Sequence, residues 1–233
     1  MPRRFVDAWL RPRSRDVLEG MLRSCHELGF WGVAVEGGDD LWVEARRVAG
    51  AYGLEVFRRV TVEASSRGEL YEKLRAVRWS YDLVSVATHD RDVLLAAVRD
   101  MRVDTVIASS PRTPPIDRHV VEVTGNSLEL ALLHILEGGF EAFRTVTRVV
   151  WTAYKKRLNL VVSTGARDEY ELRPPRQMAS VPWSLGASPS YALDAVSSYP
   201  ARILLENRGR LEGRVSVDGV WRVAEGEEEV STG

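Results

Sequence analysis

The residues best suited to chemistry close the chain's short β-prone runs. They are Asp7, Glu36, Glu63, His89, Ser109, Thr124, Ser163 with Thr164, and Asn207. In a sheet of parallel strands, reactive groups gather at the strands' carboxyl ends. A ring of carboxylates with one histidine is a donor set for a divalent cation, and such a cation activates water for phosphoester hydrolysis. Asp7 and His89 are the pair on which such a site would rest. The set is thin, however, because metal-dependent hydrolysis on this kind of scaffold draws on several imidazoles. Of the four histidines, His26 and His134 fall inside helix-like runs and His119 opens a β-prone one, which leaves only His89 well placed. There is no Gly-x-Ser-x-Gly elbow and no phosphate-binding loop of the Walker type. Glu36-Gly37-Gly38 follows a strand and precedes a helix, an arrangement read as a tight turn rather than an anion site. The expectation is therefore no catalytic residue and no metal in this chain, with Asp7, Glu36 and Glu63 serving as caps and ion-pair partners.

The elements that position these residues alternate in type. Strands are expected at Arg4 to Trp9, Gly32 to Glu36, Glu55 to Glu63, Leu83 to Ala87, Thr105 to Ser109, Val120 to Thr124, Leu158 to Ser163 and Arg202 to Leu205. Several are near-continuous apolar runs, the mark of parallel strands covered on both faces. Helices are expected at Arg15 to Leu28, Leu41 to Tyr52, Arg67 to Val77, Asp90 to Arg99, Leu128 to Leu136 and Phe140 to Arg157. The link from Ser110 to Pro115 leaves room for little helix. Eight strands alternating with helices in 233 residues predict an α/β fold, a (β/α)8 barrel of the TIM type, as one domain over residues 1–208. Residues 209–233 read as a C-terminal extension. In it, Asp218-Gly219 between short β-prone runs signals a hairpin, and an acidic, disordered end follows from Glu225.

Composition narrows the setting. One cysteine, Cys25, rules out an internal disulfide and favours a reducing compartment, with Cys25 as a packed thiol. No run approaches the roughly 18 apolar residues of a membrane span, and Met1 to Leu10 carries no apolar run of signal-peptide length, so a cytoplasmic protein with no membrane association is expected. The net charge is −1, yet the charges are segregated. Gly139 to Met178 holds eight basic residues against four acids, and Glu206 to Gly233 seven acids against four bases. Such a chain still presents a basic face. Arginine outnumbers lysine 29 to 3, which genomic base composition or life at high temperature would explain as well as function does.

The stretch from Leu158 to Asn207 carries the most specific pattern. Ser163-Thr164-Gly165-Ala166 ends a strand with small groups. Glu171-Leu172-Arg173-Pro174-Pro175 pre-sets a helix, and Leu185-Gly186 stops it. Ala192-Leu193-Asp194-Ala195-Val196-Ser197 and Pro200-Ala201-Arg202-Ile203-Leu204-Leu205-Glu206-Asn207 follow. In order and spacing this series resembles the ribonuclease P protein component 3 family, the archaeal and eukaryal barrel subunit of the ribonucleoprotein that trims tRNA precursors. Upstream the likeness is looser: Glu122-Val123-Thr124, Arg144 and Phe5-Val6-Asp7 fall where the family has related elements. Thr164 and Thr124 replace a serine and an asparagine of the family pattern.

The resemblance implies a barrel related to the phosphoesterases of the polymerase-and-histidinol-phosphatase type but without their metal ligands. Where those enzymes carry His-x-His on strand one, this chain reads Asp7-Ala8-Trp9. It implies an archaeal tRNA-processing subunit of a ribonuclease (an endonuclease, hence a hydrolase) whose chemistry and Mg²⁺ belong to the RNA. The implied partners are ribonuclease P RNA, component 2 and the other protein subunits, and precursor tRNA indirectly. RNA contacts are then expected from Arg144, Arg148, Lys155, Lys156 and Arg157 on the long helix, where 144, 148 and 155 fall near one face, and from Arg173 and Arg176 in the loop after strand seven. Two other readings remain open on the residues alone. One is a stand-alone metal-dependent phosphoesterase on the same barrel. The other is a non-enzymatic barrel that binds proteins.

Overall fold

The computed structural model describes residues 3–213. Its strands are β1 (Val6–Leu10), β2 (Gly32–Glu36), β3 (Glu55–Glu63), β4 (Leu83–Ala87), β5 (Thr105–Ile107), β6 (Ser127–Ala131) and β7 (Leu160–Ser163). They pair in parallel in sequence order, each with the next. The crossovers are α1 (Arg15–Glu27), α2 (Asp39–Tyr52), α3 (Arg67–Val77), α4 (Arg91–Ala97), α5 (Arg118–Val123) and α6 (Leu132–Lys156). After β7 come a 3₁₀ turn (Glu169–Glu171), α7 (Pro175–Ser184), α8 (Pro189–Asp194) and α9 (Ser198–Leu211).

Local chemistry sets these boundaries. The side chains of Ser14, Ser66, Asp90 and Asp117 each accept a backbone N–H in the first turn of their helices. Gly53 ends α2 in the left-handed region, which glycine enters without strain. The outward faces of the strands pack on the helices in two large apolar clusters. One runs from Leu10, Leu18 and Val33 round to Val162 and Met178, the other from Val62 to Val120. Cys25 is fully buried in the first.

The barrel is the expected one, with seven strands rather than eight among the described residues. Arg202 to Leu205, expected as strand eight, lies within α9, which packs against β1, β4 and β7. The eighth position is taken by Ala195 and Val196: the Val162 amide donates to the Ala195 carbonyl and the Val6 amide to the Val196 carbonyl, both at 2.9 Å. Nearer the carboxyl ends β7 and β1 meet directly, through Gly165 N–H to the Trp9 carbonyl at 3.1 Å and Arg11 N–H to the Ala166 carbonyl at 2.7 Å. Strand six is also displaced. Val120 to Thr124 belongs to α5 and its C-cap, because Asp117 caps a helix there, and so His119 is helical as well. The strand is Ser127–Ala131, and the helix expected from Leu128 starts at Leu132. α9 crosses the expected domain boundary at 208 and ends at Leu211; the expected hairpin and acidic end lie outside the described residues. Among the described residues no helix is long and apolar enough to cross a membrane.

Candidate functional site

Two-residue alternation along each strand sends one set of side chains into the barrel, where they form layers. At the amino end, Val6, Ala34, Phe57, Leu83 and Val161 cluster with Ala201 and Leu204 of α9, which closes that end. Above them lies a polar layer. The Arg59 guanidinium meets Glu129 at 2.7 Å, with both side chains fully buried, and also donates to the Ala8 carbonyl at 2.7 Å. Glu129 accepts from Ser163 at 2.7 Å, Thr105 at 2.7 Å and Ser85 at 3.2 Å. Burial pushes the Glu129 carboxyl up, but the Arg59 charge and these donors hold it below the usual carboxylate range. The carboxylate thus accepts from four donors of its own chain, one on Arg59 and three hydroxyls, and faces no solvent.

Trp9 closes the carboxyl end, where barrel enzymes hold their reactive groups. It is 3% exposed and packs with Ala87, Ile107 and Ala131. Two guanidiniums lie over its ring, Arg59 at 4.3 Å and Arg11 at 4.5 Å. Its indole N–H donates to Glu36, whose other oxygen accepts the Thr61 amide at 2.6 Å. His134 meets the Trp9 ring edge-on at 5.8 Å, and its Nδ1 lies 2.8 Å from the Ser109 hydroxyl. Burial, reinforced by Arg11, lowers the His134 pKa.

The proposed metal pair is not brought together. Asp7 is fully buried: one oxygen accepts the Thr164 amide at 3.0 Å, the other the Thr164 hydroxyl at 2.5 Å, and the Trp9 amide adds a third bond at 3.2 Å. Desolvation nevertheless raises its pKa to about 6. His89 is exposed on the loop after β4, lining a surface cavity with Glu63, Glu69 and Lys73. No hydrogen bond or ion pair joins the two. Among the described residues no three of His, Cys, Asp and Glu form a group able to hold a metal. Asp7, Glu129 and Glu36 are engaged by Thr164, Arg59 and Trp9, and exposed Glu63 and His89 form no cluster with them, so the residues present do not fit such an ion.

The motif residues after β7 hold the barrel shut. Thr164 anchors Asp7, and Gly165, at φ 70°, lets the chain turn back against Trp9. Glu171 accepts the Arg167 amide and pairs with its guanidinium. Asn207 sits at the amino end of the barrel, not at a strand's carboxyl end: it accepts from Arg78 at 2.7 Å and donates to the Asp82 carbonyl at 2.9 Å. Thr124 likewise caps α5 rather than closing a strand.

The expected RNA-contact residues divide by environment. Arg148, Lys155 and Lys156 are exposed on α6. Arg144, also exposed, pairs with Glu141 at 2.9 Å. Arg157 caps α6 in the left-handed region at φ 57°. Arg176 is exposed on the first turn of α7, whereas Arg173 is partly buried and donates to the carbonyls of Tyr170 and Leu172 at 2.8 and 2.6 Å. Reading the sequence missed Trp9, Arg59, Glu129 and His134. Trp9 was visible as an aromatic two positions beyond Asp7 on β1; Glu129 looked like the polar face of a helix.

Comparison with known proteins follows the same lines. The family model described as RNase P subunit p30 matches residues 4–212. Among curated relatives, ribonuclease P protein component 3 of Methanosarcina mazei is 25% identical over 207 residues, covering 84% of this chain and 86% of the relative. Its counterpart in Methanosarcina acetivorans is 25% identical over 191 residues, covering 77% and 79%. A chain in the cryo-EM structure of archaeal ribonuclease P with mature tRNA has the same fold. Its TM-score is 0.79 at 20% identity, over 96% of this chain and 100% of that one.

Proposed function

The chain belongs to the RNase P subunit p30 family, and from that premise we propose that it is a protein subunit of ribonuclease P that supports the catalytic RNA in removing the 5′ leader of precursor tRNA. The observation that carries this reading is the family match over residues 4–212. The barrel's own chemistry agrees with it. The mouth where a barrel enzyme would bind substrate is filled by Trp9 with two guanidiniums over its ring, and the buried carboxylates are bonded to the chain itself. On this reading Mg²⁺ serves the RNA, and this chain needs no cofactor. Its partners are the ribonuclease P RNA, component 2 and the other protein subunits, with precursor tRNA met indirectly.

The exposed cations supply the RNA contact. Lysine and arginine neutralise phosphates and release counterions, and a guanidinium also forks onto phosphate. Arg148, Lys155, Lys156 and Arg176 are free to do so. Arg173 contributes mainly by fixing the loop before α7, since its donors are spent on carbonyls. The test is reconstitution of the holoenzyme with and without this chain, measuring precursor cleavage across a Mg²⁺ series. Addition should raise the rate and lower the Mg²⁺ required; equal curves would refute the reading.

A further inference from the structure

The solvent face of α6 holds more than cations. Gly139, with φ 53° and ψ −135°, kinks the element, and a regular helix runs on to Lys156. Ala142, Val146, Val149, Val150 and Ala153 are its buried residues and define its inward face. At 3.6 residues per turn, Phe140, Arg144, Arg148, Trp151 and Lys155 fall within an arc of about 80° opposite that face. Phe140 is 76% exposed and Trp151 60%; Phe143, about 60° outside the arc, is 45% exposed. Among the described residues no ring stacks on these three and no guanidinium lies over them.

A single exposed aromatic is ordinary; two on one stripe, interspersed with three cations, form a pattern. Protein interfaces also use aromatic residues and arginine, but their cores are depleted in charge and in lysine. Here the apolar positions are flat rings and every charge on the arc is positive, with Glu141 at the margin already taken by Arg144. The complementary partner is a polyanion that also offers flat apolar faces. Unpaired RNA does both; a duplex hides its base faces and presents phosphate and sugar.

We propose that this stripe of α6 is a stacking platform for unpaired nucleotides. In it Phe140 and Trp151 each take a base, and Arg148 and Lys155 take the flanking phosphates. The inference rests on the RNA-binding reading above and names the kind of RNA that this surface recognises. The two rings lie eleven residues apart, about 16 Å along the helix axis. They therefore engage separate nucleotides of a loop or internal bulge rather than one stacked pair.

The test uses the full chain and its cognate ribonuclease P RNA, with oligouridine and a perfect RNA duplex as competitors, over a salt series. All five positions are on the helix surface, and the melting temperature of each variant checks that folding is intact. Phe140→Ala and Trp151→Ala should each weaken binding by roughly 5- to 100-fold, the effect of losing one stacked base, without changing the salt slope. Trp151→Phe should restore most of the loss. Arg148→Ala and Lys155→Ala should lower the salt slope by about 0.7 apiece. Oligouridine should compete better than duplex. If the aromatic variants bind as tightly as wild type while the cation variants do not, the stacking platform is wrong and the RNA-binding reading survives. If the wild-type chain shows no salt-dependent binding at all, that reading fails and this inference falls with it. If the aromatic variants keep RNA affinity but lose another protein subunit in reconstitution, the stripe is a protein interface and the proposal is overturned.

Discussion

Replacing Arg59 with methionine tests whether the barrel interior is a structural core. The substitution keeps most of the side-chain length and removes the guanidinium. Glu129 would then lie fully buried without its cation, and breaking such a pair from one side typically costs about 3–5 kcal/mol. Three hydroxyl donors remain on the carboxylate, which favours the lower end of that range. Against that, the bond to the Ala8 carbonyl is lost, and so is the stacking of Arg59 on Trp9, worth about 2 kcal/mol when desolvated. A net loss of about 4 kcal/mol at pH 7.5 is expected from these terms, a large share of the roughly 5–15 kcal/mol that stabilises a domain.

The pH dependence makes the test specific. Without Arg59, burial, the largest influence on Glu129, is opposed only by the hydroxyl donors and raises its folded pKa above the unfolded value. The folded variant then binds its proton first, and its deficit against wild type shrinks as pH falls. Urea unfolding at pH 7.5 and pH 5 measures both effects, and Arg59→Met with Glu129→Gln should recover at least half of the loss. A cost under about 1 kcal/mol, no more than an exposed ion pair contributes, or a cost that does not change with pH, would refute the account of the interior.

Asp7→Asn should flatten part of the stability profile. The Asp7 pKa of about 6 lies above its ordinary 3.8, so its contribution favours the protonated fold and declines as pH rises through that window. The difference between wild type and Asp7→Asn across it should reach about 3 kcal/mol in urea unfolding, and no difference would show that the carboxyl is not desolvated. Gly165→Ala should cost about 1–2 kcal/mol by thermal unfolding, because φ 70° is strained for alanine and the new methyl meets Ala131 and Leu133 at 3.4 Å. Arg176→Ala should lower the salt slope of RNA binding with no change in melting temperature. Arg173→Ala should lower the melting temperature, because its guanidinium holds the Tyr170 and Leu172 carbonyls. The reverse pattern would exchange their roles.

Much of the barrel was legible because parallel strands buried on both faces leave near-continuous apolar runs, as in β2, β4 and β7. The two misplaced strands have local causes. Glu129 breaks the apolar run of β6 and gives Leu128, Leu130, Leu132 and Leu133 the look of a helix, whereas its partner Arg59 lies 70 residues away on β3. Val120 to Val123 is rich in β-branched residues, yet Asp117 caps it as a helix. At Arg202 to Leu205, Ser197 and Pro200 open α9, while Ala195 and Val196 fill the strand slot with two carbonyls, a contribution that no hydrophobic period reveals. The polar residues at the strand ends were found, but not their partners. Asp7 pairs with Thr164 across 157 positions, a closure that only the ring of strands creates. The basic residues of α6 were visible from helical spacing; the exposure of Phe140 and Trp151 was not, since aromatic residues in an amphipathic helix normally read as core.

The central claim is that this chain assists an RNA catalyst and contributes no catalytic group of its own. The most direct measurement is precursor tRNA cleavage by the reconstituted holoenzyme carrying Asp7→Asn and His89→Ala together in this chain, with assembly and folding verified alongside. The account predicts cleavage at the wild-type rate and Mg²⁺ requirement, and none from the chain without the RNA. Loss of cleavage in the assembled, folded double variant, or turnover of precursor by the chain alone, would contradict it.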